Sequence, residues 1–492
     1  MAQSIRVNFV YNILLNISSV IFPLITAPYV SRILEPNGVG IYNFSITYAD
    51  YFALFALMGI PTYGMREVAK NRHNQNELSD LISKLMSISS ISTLMVVTIY
   101  LLSLIFIDRL SENYIYLLLA GFGLYFSPLK INWIFQGLEE FGYITLRTLV
   151  IRLLSIISLF IFVREKNDLL IYILISVMGG IVADIWNFYK MWASGIHPRF
   201  TTNGLSNHIK PLFILFASTI AISIYTMMDT LMLGFLSDYS EVGYYNNASH
   251  LTRVIIVALT SLSTVAVPRI SYYIEEKEFS NINLLINKSI SFLSFVTFPI
   301  AVIIFCISSI FIPLFFGAKF EGAVIPLMIM CPLFVILAFN NLTGTQILIG
   351  FGLDTSFLYS MLVGSITNFL LNLFLIPYYG AIGASISSVI AETIVLLATL
   401  YYAKKITALQ IKNKSDFYKS LIGSILIIPC WLFTKCMLDG WLLVIVYTIV
   451  SIALYICFEK LVRNTSVNIL IQIGSGFIGK FVNLNRFNFK NI

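Results

Sequence analysis

The chain has 492 residues, of which 58% are apolar and only 11% charged, with a formal net charge of +7 and a mean hydropathy of +0.86. Soluble domains carry roughly 25% charged residues, and a soluble interior cannot hide this much apolar surface. The composition excludes a soluble enzyme. A nucleic-acid binder is excluded as well, because no basic run interleaves with aromatics in a polar domain; anionic lipids at a cytoplasmic membrane face are the expected partner of the positive charge.

Taken in chain order, the first apolar segment has no small-residue cleavage site before it and reads as a retained helix. A span needs about 20 largely apolar residues. On that measure spans centre on Val20, Tyr51, Thr93, Leu124, Leu154, Val177, Ala221, Val257, Ser294, Met330, Asn368, Val389, Ile425 and Ile445, fourteen in all. With a cytoplasmic N-terminus, inward loops and tail hold 24 Lys and Arg residues, outward loops 6, and Arg253 is left inside a helix. Lys130, Arg147 and Arg152 count with the inward set. That asymmetry follows the positive-inside rule and predicts that both termini are cytoplasmic. The five cysteines fall in or beside apolar stretches and read as packing residues. Residues 461–492 read as a basic amphipathic tail at the membrane interface.

The sequence also repeats itself. Val39-Gly40-Ile41-Tyr42-Asn43 returns as Val242-Gly243-Tyr244-Tyr245-Asn246, and Ala183-Asp184-Ile185 is echoed by Ala391-Glu392-Thr393. One offset of about 205 residues relates helices 1–6 to helices 7–12. Six is even, so the repeats share an orientation, as in transporters built from parallel repeats about an axis along the membrane normal. The expected fold is an all-α integral membrane protein of about fourteen transmembrane helices. It divides into an N-terminal bundle (1–200), a C-terminal bundle (201–405), two further helices (406–460) and the tail.

Ionisable groups deep in a span are costly and usually face a cavity or a partner. Asp50, Asp184, Asp229, Arg253 and Glu392 lie in such places, and Lys130 and Arg152 lie toward the cytoplasmic ends of their helices. The carboxylates are candidates for gating or for carrying a proton or sodium ion; plain hydrogen bonding between helices is the blander reading. Lys130 and Arg152 either reach a cavity or extend to the surface. At the repeat offset Arg253 falls on Asp50, and Glu392 on Asp184. Asn12, Asn16, Asn341, Gln346 and Asn368 are candidates for facing sugar hydroxyls. Prolines such as Pro23 and Pro28 kink helices but are tolerated in membranes. No phosphate-loop motif, no His-Glu-x-x-His and no metal ligand set is present, and every loop is too short for a catalytic domain. No cofactor is expected, apart from an ion gradient.

Several stretches resemble the polysaccharide transporter family of the multidrug/oligosaccharidyl-lipid/polysaccharide (MOP) exporter superfamily, in particular the Wzx-type O-antigen and capsule repeat-unit flippases. They include Asn8-Phe9-Val10-Tyr11-Asn12, the run from Pro23 to Leu34, Gly38-Val39-Gly40-Ile41-Tyr42, and Met58-Gly59-Ile60-Pro61-Thr62-Tyr63-Gly64 followed by Arg66-Glu67. Trp133-Ile134-Phe135-Gln136-Gly137-Leu138-Glu139 and Asp229-Thr230-Leu231-Met232-Leu233-Gly234 belong to the same pattern. The resemblance implies movement of an undecaprenyl-pyrophosphate-linked oligosaccharide to the outer leaflet of a bacterial cytoplasmic membrane. It also implies a V-shaped pair of bundles and a cationic cavity, with Arg253, Lys130 and Arg152 meeting the pyrophosphate. A polysaccharide polymerase and a chain-length regulator would be its partners. The alternatives are a cation-coupled drug exporter, a peptidoglycan-precursor flippase, and, from another class, a membrane-embedded polymerase or glycosyltransferase.

Overall fold

The computed structural model describes residues 5–260, 263–406 and 414–467; positions 468–492, most of the expected amphipathic tail, lie outside the described residues. Every regular element described is helical. Eight of the described helices are long and apolar enough to cross a bilayer, or nine if the pair Ala318–Met330 and Leu333–Ile349, bent by 48°, is one span. The protein is thus an all-α, multi-pass membrane protein. Many large apolar side chains face outward, among them Leu94 at 72% and Phe106 at 77% exposure. A helix that is apolar on its packed and its outer face belongs in lipid.

The chain folds into two compact units, residues 1–247 with 372–384, and residues 248–371 with 385–492. In the first unit, α1 (Ile5–Leu57) is broken at Glu35 (φ 60, ψ 174). Pro36 follows, and the residue before a proline is pushed out of the helical region. The apolar stretch Val10–Leu57 is 48 residues long, about 70 Å of helix, more than twice the roughly 30 Å hydrocarbon layer. Two spans expected from the sequence are therefore continuous through the break at Glu35. Lys166 reaches the Glu35 carboxylate at 2.8 Å, which ties that bend to a distant loop.

Gly59 (φ 77) and Pro61 then open the short α2 (Ile60–Asn71). α3 (Gln75–Phe106) starts at Asn74, whose side chain accepts from the N–H groups of Asn76 and Glu77; such a cap satisfies donors the helix itself cannot. Ser92 donates to the Ala56 carbonyl at 2.5 Å, fastening α3 to α1. The span expected around Leu124 is not one regular helix. It is α4 (Tyr114–Gly121) followed by a 3-10 stretch, Phe122–Leu129, that contains Pro128. α5 (Phe141–Phe162) and α6 (Leu169–Ala193) pack as a pair, followed by α7 (Ser206–Leu236) and α8 (Tyr239–Thr260).

The repeated motif has a structural meaning inside this unit. A Cβ on Gly40 would lie 1.7 Å from the Tyr239 carbonyl oxygen, and one on Gly243 would lie 2.2 Å from that of Pro36. The two copies of the motif meet backbone to backbone, a contact that only small residues allow.

In the second unit, α9 (Phe279–Phe316) carries the core. Phe295, Ile303, Cys306 and Ile307 pack with Trp431, Leu443 and Tyr447, so the C-terminal helices α12 (Lys414–Ile425) and α13 (Gly440–Leu461) lie against α9. Between them in sequence come α10 (Leu333–Asn340), a π-helical turn Asn341–Ile349, and α11 (Asp354–Lys404). α11 breaks at Gly380 (φ 51, ψ −127), in the stretch that belongs to the first unit. There the Glu241 carboxylate accepts the Ala381 N–H at 2.7 Å. All five cysteines are free, with Cys306 and Cys331 buried.

Candidate functional site

The first unit holds a partly open cavity of about 200 Å³ lined by Asp50, Lys130 and Asp184, together with Ser176, Gly123 and Gly180. Three charged residues picked out separately in the sequence therefore share one space. Each is placed by a distinct local device. Asp50 sits on the second half of α1, beyond the break at Glu35. Tyr42, from the repeated motif on the same segment, bonds Ser176 of α6 through its hydroxyl at 2.9 Å. Lys130 ends the 3-10 stretch, where its N–H meets the Ser127 carbonyl at 3.0 Å and its backbone leaves the helical region. Asp184 projects from α6, and Gly180 one turn earlier leaves the wall open, with nothing within 4 Å of where a Cβ would be. Lys130 is within electrostatic reach of both carboxylates, so one cation is shared between two acids.

The remaining candidates lie elsewhere. Arg152 is half-buried, bonds the Ser18 hydroxyl on α1 and lies 5.9 Å from the Phe22 ring; it is not among the residues that line this cavity. Asp229 accepts from the Tyr245 hydroxyl and, at 2.6 Å, from the Asn372 amide, forming a second polar cluster in the first unit. Tyr245 belongs to the second copy of the motif, so the duplicated tyrosines both serve charged sites. Asn12 and Asn16 are exposed on α1 and bond each other at 3.3 Å. In the second unit, Glu392 accepts from Asn340 at 2.6 Å. Asn341 and Gln346 sit on the neighbouring π-helical turn, a distortion often found at functional positions. Gln346 and Asn368 are buried. Arg253 is exposed on α8. Among the described residues no group of three or more His, Cys, Asp or Glu side chains is arranged to hold a metal.

Arg147 departs from the expectation that the sequence raises. Counted there with the cytoplasmic anchors, it is in fact buried, at 7% exposure, and bonded to Asn187 of α6. The signal for this lies in Phe141-Gly142-Tyr143-Ile144-Thr145-Leu146-Arg147, where the arginine stands almost two turns inside an apolar helix. A position near a helix end suggests a route to water, but packing by α6 closes that route.

The family model described as "Polysaccharide biosynthesis protein" matches residues 5–274, more than half of the chain. The chain belongs to the polysaccharide biosynthesis protein family. A second model, MatE, matches residues 215–374. Among relatives of this family member, an Escherichia coli (strain K12) protein named "Putative O-antigen transporter" is 25% identical over 82% of this chain and 97% of its own length. The "Probable low-salt glycan biosynthesis flippase Agl15" of Haloferax volcanii is 23% identical over 73% of this chain and 76% of its own. The fold is similar to that of the lipid II flippase MurJ in an inward closed conformation, with TM-score 0.75, 17% identity, and coverage of 92% of this chain and 98% of that one. It is also similar to an inward-facing multidrug resistance MATE family transporter of the MOP superfamily, with TM-score 0.59, 14% identity, and coverage of 78% and 93%. The two solved structures share the fold of membrane transporters, and the matches support a transporter rather than an enzyme.

Proposed function

We propose that this protein moves an undecaprenyl-pyrophosphate-linked oligosaccharide across a bacterial cytoplasmic membrane by alternating access, supplying repeat units for O-antigen or capsule synthesis. The observation that carries the reading is the meeting of Asp50, Lys130 and Asp184 in one cavity, inside a chain whose family concerns polysaccharide biosynthesis. The lipid tail stays in the bilayer while the charged head and sugars cross through a hydrated cleft. A cavity of about 200 Å³ is below the roughly 300–1,000 Å³ of ordinary ligand clefts, so the oligosaccharide does not fit in it. Its size suits an ion or part of a head group. In this reading Lys130 meets the phosphate charge, Arg152 and Arg253 are further cationic candidates for the head group outside this cavity, and Asp50 and Asp184 carry the coupling proton or sodium ion.

Asp229 and Glu392, each bonded to an asparagine amide, are the gating candidates of the two units. Asn12 and Asn16 offer exposed amides to sugar hydroxyls, and half-buried Asn341 is a further candidate; Gln346 and Asn368, which are buried, would join only once the second unit opens around them. The proposal keeps fourteen spans, a count that the breaks at Glu35 and Gly380 support because each divides a helix of double length, and both termini cytoplasmic, which rests on the charge asymmetry. Anionic lipids on the cytoplasmic side, a polymerase and a chain-length regulator are the proposed partners.

The test is translocation of a labelled undecaprenyl-pyrophosphate oligosaccharide in vesicles that hold the wild type, Lys130→Gln or Arg253→Ala. Transport that collapses in both folded variants supports a cationic path; no transport by the wild type sinks the reading. The MatE match over residues 215–374 favours a second reading, a cation-coupled drug exporter. Dye efflux driven by a sodium or proton gradient, without glycan transport, would establish that one.

A further inference from the structure

Two stripes of side chains run from the surface toward the charged cavity. On α5 they are Glu140, just before its first residue, Tyr143 and Arg147. On α6 they are Asp184, Asn187 and Lys190, each three residues from the next and so on one face. At the outer end Lys190 bonds Glu140 and lies 3.8 Å from the centre of the Tyr143 ring. At the inner end Asp184 lines the cavity. Arg147 and Asn187 stand between, both buried, Asn187 completely.

Every bonded partner of Arg147 is neutral. One guanidinium nitrogen bonds the Asn187 side-chain oxygen; the other approaches Asn132 Oδ1 at 3.4 Å and Thr148 Oγ1 at 3.3 Å. No ion pair among the described residues includes it. Its Nε–H has no acceptor, and neither has the amide nitrogen of Asn187. The orientation of that amide is fixed by Arg147. Its oxygen accepts from Arg147 and also from the Tyr143 hydroxyl at 3.1 Å; turning it over would set its NH2 group against the guanidinium, donor against donor. The unmet groups are therefore two donors on adjacent, mutually bonded side chains, one of them cationic. A buried cation without a bonded carboxylate is an arrangement that interiors avoid. The ligand that satisfies it carries oxygen acceptors and negative charge, and the planar guanidinium fork matches phosphate oxygens.

We propose that Arg147 and Asn187 form an oxyanion-binding site for phosphate or pyrophosphate, set between the cytoplasmic ends of α5 and α6 and the Asp50–Lys130–Asp184 cavity. The identity of the phosphate bearer as a lipid-linked glycan rests on the function proposed above; the site itself rests on the two unmet donors. Asp184, one turn before Asn187, then serves as the competing anion. It interacts with Arg147 electrostatically without bonding it, so an arriving phosphate takes the guanidinium and leaves the carboxylate to the coupling ion.

The test measures binding of inorganic pyrophosphate, and separately of a short-chain polyprenyl pyrophosphate, to the full chain in lipid nanodiscs by calorimetry. The wild type is expected to bind, Arg147→Gln to bind at least about tenfold more weakly, and Arg147→Lys to fall between, since it keeps the charge but loses the fork. Lys166→Gln, at an exposed ion pair elsewhere, is expected to match the wild type. If Arg147→Gln does not fold, Asn187→Ala is read in the same way. Equal affinity in the folded variant overturns the site, and so does a wild type that binds neither probe. Much tighter binding of the polyprenyl form identifies a lipid head group as the bearer; equal binding identifies a free anion. A wild type that binds both probes through Arg147 yet moves no lipid-linked oligosaccharide keeps the site and removes the proposed function.

Discussion

One lysine between two carboxylates is a sensitive arrangement, because removing the cation leaves two like charges facing each other in a small cavity. Lys130→Gln is therefore expected to lower transport by about tenfold or more, equivalent to roughly 1.4 kcal/mol. Adding Asp184→Asn to Lys130→Gln should recover part of the accompanying loss in unfolding temperature, since the surplus negative charge is then gone, while transport stays low because the coupling carboxylate is lost as well. A double mutant that unfolds no later than the single one, measured in detergent at equal protein, would show that the two groups act independently. All three members of this cavity are legible in the sequence, because charge inside an apolar run is visible without a structure. That they share a cavity is not, since positions 50, 130 and 184 have no local signature of proximity. The burial of Arg147 escapes the sequence for a related reason: whether a charge near a helix end reaches water depends on what packs over it, and α6 is 40 residues away in the chain at Asn187.

The helices follow the apolar pattern closely where the chain is regular, as in α3, α5, α6 and α9, and depart from it at identifiable residues. Pro36 and Glu35 make one broken helix of two expected spans, Pro128 lies in the turn that tightens into a 3-10 helix, and Pro332 stands at the 48° bend between Ala318–Met330 and Leu333–Ile349. A hydropathy window sees length and polarity but averages over such breaks, so the centres of the regular spans are legible and span continuity is not. The repeat is legible as Val-Gly-x-Tyr-Asn, and the structure supplies its physical cause in the close approach at Gly40 and Gly243. Gly40→Ala puts a methyl group into the Tyr239 carbonyl and is expected to destabilise the protein by roughly 1–3 kcal/mol, seen as a lower unfolding temperature in detergent. Gly180→Ala, with open space around its Cβ, should leave that temperature unchanged or raise it slightly, as alanine favours a helix over glycine. Equal shifts for both would show that the Gly40 crossing is not tight.

For the whole chain, multi-pass topology follows from composition and from the long apolar helices, while the proposed number and direction of crossings rest on charge counting. Fourteen spans with cytoplasmic termini predict that single cysteines placed at Lys166 and Lys319 react with an impermeant reagent from outside. Cysteines at Lys84 and Lys404 are expected to react only after the membrane is opened. Labelling of Lys404 from outside would shift the count by an odd number of spans. Function is legible to the level of a transporter for polysaccharide synthesis through short motifs spread over helices 1 to 7; the sugar is not written there, because amides such as those of Asn12 and Asn16 suit the hydroxyls of many substrates. The decisive measurement is transfer of a fluorescent undecaprenyl-pyrophosphate oligosaccharide across vesicles containing the purified chain, read by quenching from one side. Transfer by the wild type above protein-free vesicles, reduced at least about tenfold by Lys130→Gln, is the predicted result. No transfer by a folded, correctly oriented wild type, or full transfer by the variant, would contradict the account.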